Sequence, residues 1–159
     1  MLNLDTGGNR MRIMTILSGL ILLAAIESCS SVVLKPADFY WPIESVLKVD
    51  NKGFVEDQRY SIIVKVKTLF FEEFADSNNF TGKEIRMIRD KNGYCYMTGK
   101  DFKNVYVFFP VEAGFKLYEK ILISEDKAMS NPAFNQKSPY IELIDGKNKY
   151  LLQHKGIVR

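Results

Sequence analysis

Three short segments, Asp50-Asn51-Lys52-Gly53, Asp90-Lys91-Asn92-Gly93 and Asp145-Gly146-Lys147-Asn148, each stand between two runs rich in Val, Ile, Tyr and Phe. Asp and Asn side chains bond to the backbone of their own turn and Gly supplies positive φ, so these segments specify tight reversals between strands. In residues 60–71 the even positions Tyr60, Ile62, Val64, Val66, Thr68 and Phe70 form one apolar-leaning face, with Ser61, Lys65 and Lys67 on the other, which predicts one long half-buried strand. Further strands are expected at 45–49, 84–89, 94–98, 105–109, 115–123, 140–144 and 149–154. About eight short runs separated by turn chemistry predict an all-β fold: a single antiparallel β-sandwich over residues 43–159, with a small β-barrel as the alternative. The hairpins within 84–98 and 140–154 should be local. A sustained 3.6-residue apolar period is not read anywhere after residue 42, although Ser124-Glu125-Asp126 suits the cap of one short helix through Met129.

The size and charge of the chain narrow its partners. Its 159 residues are enough for one hydrophobic core without metal or disulfide staples, and 22 Lys and Arg against 19 Asp and Glu give a net charge of +3. Near-balanced charge at 26% of residues excludes a disordered tail and the strongly basic footprint of a nucleic-acid binder.

The first 28 residues read as a signal peptide. Arg10 and Arg12 precede an apolar run, residues 13–26, interrupted only by Thr15, Ser18 and Gly19; its length suits a secretory signal and falls short of the roughly 20 residues of a spanning helix. The run ends in Ile26-Glu27-Ser28-Cys29, which resembles the lipobox of bacterial lipoproteins: an aliphatic residue, two small residues and the Cys that becomes the lipidated N-terminus. Glu27 stands where that pattern carries a small uncharged residue. The resemblance implies lipidation of Cys29, with palmitate or a similar acyl chain, and attachment to a membrane, stable because more than one chain is held. Residues 29–42, punctuated by Pro36 and Pro42, then serve as a lipidated tether, along which Tyr40 and Trp41 suit the headgroup level. Ser30 and Ser31, with no Asp after Cys29, resemble outer-membrane sorting signals, implying a cell outer membrane location that faces the periplasm or the surface. If Cys29 is not lipidated, the same leader implies a secreted soluble β-domain. With Cys29 acylated, Cys95 has no disulfide partner and reads as a small buried hydrophobe.

Candidate chemistry is sparse. Asp90, Asn92 and Gly93 begin like a calcium loop without completing one, and a lone His with no CxxC offers no zinc site, so neither metal nor cofactor is expected. No GxSxG and no phosphate-cradling Gly loop is present. Loop carboxylates at Glu72, Glu73 and Asp76, or at Glu125 and Asp126, define an alternative reading as a hydrolase of envelope glycans, which needs two carboxylates set across a cleft. The aromatic ribbon carries the main reading, a non-catalytic binding or assembly domain for an envelope protein or glycan. Tyr94 and Tyr96 share one strand face, and Tyr106 and Phe108 share a face of the next strand, while the alternate positions Cys95, Met97, Val105, Val107 and Phe109 are also apolar. Both faces therefore need cover. Either the ribbon is central and buried on both sides, or its tyrosines are exposed as a binding surface.

Overall fold

A computed structural model describes residues 43–112 and 114–158. The leader, Cys29 and the tether lie outside them. Eleven strands and one short helix make up the described residues: β1 (Ser45–Lys48), β2 (Phe54–Asp57), β3 (Ile62–Lys65), α1 (Lys67–Phe74), β4 (Glu84–Arg89), β5 (Cys95–Gly99), β6 (Asn104–Val111), β7 (Gly114–Leu122), β8 (Pro132–Lys137), β9 (Tyr140–Asp145), β10 (Asn148–Gln153) and β11 (Gly156–Ile157).

A central five-stranded sheet runs in the order β1-β4-β5-β6-β7, a second sheet in the order β11-β10-β9-β8, and β2 and β3 form a separate hairpin. Every pairing is antiparallel. The central sheet stays open, so the fold is an all-β sandwich and not a closed barrel.

The turn chemistry acts as its residue types require. In Asp90-Lys91-Asn92-Gly93 the carboxylate Oδ1 of Asp90 accepts the N–H groups of Asn92 (2.8 Å) and Tyr94 (2.9 Å), closing the β4–β5 hairpin. Asp50 repeats the arrangement with the N–H groups of Lys52 and Phe54, both at 2.8 Å, while Gly53 holds φ at 83°. That first turn joins no ladder between its own flanks: β1 pairs with β4, and β2 with β3.

Alternation then sorts the central sheet into two apolar faces. On one, Ile88, Tyr96, Val105, Val107 and Ile121 are buried, and strand contacts between β4 and β8 and between β7 and β11 place the second sheet over them. That sheet turns Phe134, Ile141, Leu143 and Leu152 inward. On the other face Ile85, Met87, Cys95, Met97 and Tyr106 are buried beneath the β2–β3 hairpin and α1. The ribbon is thus covered on both sides from Cys95 to Met97 and from Val105 to Val107, as its doubly apolar pattern requires, while Phe109 stays exposed.

Residues 60–71 depart from the expected single strand. Tyr60, Ile62 and Val64 keep their alternation, but after Lys65 the chain becomes α1. Val66, Leu69, Phe70 and Phe74 recur at helical spacing, with the first three buried and Phe74 packed at the core margin. The helix has no side-chain N-cap and no charges placed to favour its dipole, so packing supplies its stability. Phe70 meets Phe102 edge-on at 5.5 Å and stacks with Phe74 at 6.1 Å.

Three strands go beyond the expected set, among them the two-residue β11 at the C-terminal end. β2 follows the first turn directly, and β8 occupies part of the expected connection 124–139. The helix expected through Met129 is absent: Met129 instead donates to the Phe102 carbonyl and accepts from the Asp101 N–H, both at 2.8 Å, in an extended link that buries its side chain. Among the described residues no helix is long and apolar enough to cross a membrane.

Candidate binding site

The distal half of the β6–β7 ribbon gathers several of the large apolar side chains that the fold leaves uncovered. Phe109, Val111, Leu117 and Tyr118 are exposed, although their neighbours Val105, Val107 and Ile121 lie in the core. The strands of the second sheet are six residues long or shorter, against eight and nine in β6 and β7.

A break in register shapes this end. Val107 pairs with Glu119 but Phe108 pairs with Leu117, leaving Tyr118 as the unmatched residue of a β-bulge. In unbroken register Tyr118 faces Phe108 on the helix side. The bulge turns it to the opposite face, where its ring meets Tyr94 at 5.0 Å and His154 at 5.5 Å. Tyr94 stacks on His154 with centroids 4.5 Å apart and an interplanar angle of 6°, and it contacts Phe109 at 5.2 Å. Four rings, from the residue before β5, from β6 and β7, and from the residue after β10, therefore form one cluster. Beside it opens a concavity of about 410 Å³ bounded by Tyr94, Phe109, Tyr118 and Lys116. Burial raises the Tyr94 hydroxyl above the usual tyrosine range, and the neighbouring Tyr118 and Asp90 add to the effect. It stays a neutral donor and acceptor at physiological pH.

Comparison with protein-family models, with curated proteins and with solved structures found no match. The chemistry of the site rests on its own geometry.

The four aromatic residues read from the sequence divide by position. Tyr94 is half-buried and belongs to the ring cluster. Tyr96 is core, with its hydroxyl directed to Asp90 Oδ2 at 3.3 Å, and burial drives its ionisation far upward. Tyr106 is core on the opposite face, donating to Glu73 Oε2 at 2.7 Å. Phe108, half-buried, lines a separate cavity between the sheet and α1. Phe109, Tyr118 and His154 complete the cluster and were not singled out by sequence for binding. Phe109 was legible as an apolar alternate position, whereas Tyr118 depends on the bulge and His154 on the docking of the second sheet.

The carboxylates Glu72, Glu73 and Asp76 fall in α1 and just after it, not around a common cleft feature of the cluster. Glu73 accepts bonds from the Lys103 N–H, Asn104 Nδ2 (2.9 Å) and the Tyr106 hydroxyl, tying α1 to the sheet. Asp76 Oδ1 caps the Asn78 N–H at 2.8 Å. Glu125 offers its backbone carbonyl to Lys103 Nζ at 2.7 Å. Among the described residues no group of three His, Cys, Asp or Glu side chains is arranged to hold a metal ion.

Proposed function

We propose that this protein is a bacterial envelope lipoprotein, held to the outer membrane by acyl chains on Cys29, whose β-domain is a non-catalytic binding or assembly module for an envelope protein or glycan. The observation that carries the binding half is the cluster of Tyr94, Phe109, Tyr118 and His154, in which Phe109 and Tyr118 are exposed and the other two half-buried. Rings held at fixed angles by one another bind with little loss of side-chain freedom, and tyrosine hydroxyls add a polar handle; both suit a sugar ring or an apolar side chain. A role as hydrolase has less support, because the Glu73 carboxylate is occupied by three donors of its own fold. The anchoring half rests on the leader and on Cys29 directly after its apolar run.

Two measurements test the reading. Metabolic labelling with an alkyne fatty acid should mark the wild-type chain and fail to mark Cys29→Ser; an unlabelled, freely soluble wild-type chain overturns the anchor. Crosslinking followed by pull-down from envelope membranes should recover a partner that the Phe109→Ser/Tyr118→Ser double variant loses while keeping its thermal transition. Equal recovery by wild type and double variant overturns the docking surface.

A further inference from the structure

We propose that two cavities flanking β3 form one site for a single-chain anionic amphiphile, with the acidic head held by Arg89 and Lys65 and the apolar tail lying between α1 and the central sheet. This site is on the face of the sheet opposite the aromatic cluster and does not depend on the docking role given to that cluster.

The first cavity, about 400 Å³, is walled chiefly by Leu69, Met97, Phe108 and Leu117. The second, about 500 Å³, is bounded by Ile62, Cys95 and Val111 together with Arg89. Val64, Lys65 and Phe115 line both, so the two meet along β3. Each volume is within the range of small-molecule sites, roughly 300–1,000 Å³. The β3 strand is paired on its β2 side alone, and this leaves its other flank open to the cavities.

Charge sets the class of ligand and its direction. The second cavity is lined by two cations and no carboxylate, and neither Arg89 nor Lys65 makes an ion pair among the described residues. Lys65 Nζ rests 6.0 Å from the Phe54 ring centre, and its flexible stem leaves it free to turn toward an anion. Beyond Lys65, which it shares with the second cavity, the first cavity has polar side chains at Glu72, Thr68 and Tyr106 and is otherwise apolar. The Tyr106 hydroxyl is already committed to Glu73. An acidic head is repelled at the Glu72 end and paired at the Arg89 end, so the tail enters the apolar cavity, where displacing water from its wall drives binding.

The test uses the full chain and a photoreactive dodecanoic acid with a diazirine at the tail end, the labelled positions being mapped by mass spectrometry. Labelling is expected at Leu69, Met97 or Phe108, which line the first cavity and not the concavity beside the aromatic cluster. Arg89→Gln with Lys65→Gln should lower it about tenfold, a difference of about 1.4 kcal/mol, while Glu72→Gln should leave it equal or raise it. Both cations are exposed, so the double variant is expected to keep the wild-type thermal transition. Dodecanoate or dodecyl phosphate should compete and dodecanol should not; whichever anion competes better identifies a carboxylate or a phosphate head. Labelling centred on Phe109 and Tyr118, undiminished labelling of the double variant, or equal competition by dodecanol would overturn the proposal.

Discussion

Cys95 sits between two tyrosines in β5, and its neighbours decide its chemistry. Burial pushes its thiol up to about 11, with Asp90 adding to the rise and Arg89 opposing it. At pH 8 iodoacetamide should therefore leave the Cys95 peptide unmodified in the folded chain and alkylate it in guanidinium; rapid native labelling would contradict this burial. Asp50 behaves in the opposite sense. The Phe54 N–H, aided by those of Lys52 and Gly53, outweighs desolvation and holds its carboxyl below the ordinary value of 3.8. A depressed folded-state value stabilises the fold above the unfolded value and is lost as the pH falls through the folded one. Asp50→Ala should lower the midpoint of thermal unfolding at pH 7 by a few degrees, with the difference from wild type shrinking below about pH 4. Both residues were legible in the sequence, one as a small hydrophobe in a strand and the other as a turn former. Tyr94 and Tyr96 were less so. Alternation shows that they share a face, but not that Tyr96 is enclosed while Tyr94 stays half-buried.

The helix α1 shows what a period-2 pattern conceals. Tyr60, Ile62, Val64 and Val66 satisfy a strand template, and Thr68 and Phe70 extend it by coincidence, while Val66, Leu69, Phe70 and Phe74 satisfy a helical one. Packing against Phe102 and the Glu73 bridge to Tyr106 select the helix. Its C-terminus holds Ala75 at φ 54°, a left-handed conformation, with the Ala75 N–H bonded to the Phe71 carbonyl at 2.8 Å. Side chains are strained there and glycine is not. Ala75→Gly should accordingly stabilise the domain by about 0.5–1 kcal/mol despite the greater freedom glycine has when unfolded, measurable by urea titration; a loss of stability would show that the strain is absent. The β6–β7 bulge was illegible for a different reason, because an unmatched residue belongs to a pair of strands and neither strand's sequence states it. The strand β8 escaped notice because its inward residues are Pro132, Phe134 and Gln136, and only one of these is a strong strand former.

Across the whole molecule, Glu44 joins what the sheets leave separate. Its Oε2 pairs with Arg86 Nη1 of β4 at 2.9 Å, and its Oε1 accepts the Phe134 N–H of β8 at 2.7 Å. Glu44→Ala leaves a largely covered guanidinium and a strand-edge N–H without a partner, and should cost about 2–3 kcal/mol in chemical denaturation; a loss below about 0.5 kcal/mol would place the two bonds among ordinary surface contacts. Residues far apart in the chain meet at this point, which is why no local pattern reveals it. The same separation bears on a chain delivered from its N-terminus. All five strands of the central sheet have emerged by Leu122, whereas the layer that covers Ile88, Tyr96 and Val107 begins only at Pro132. During synthesis, the nascent domain therefore carries a nearly complete sheet with one greasy side bare until its final quarter arrives, an interval in which a holding chaperone has the most to protect.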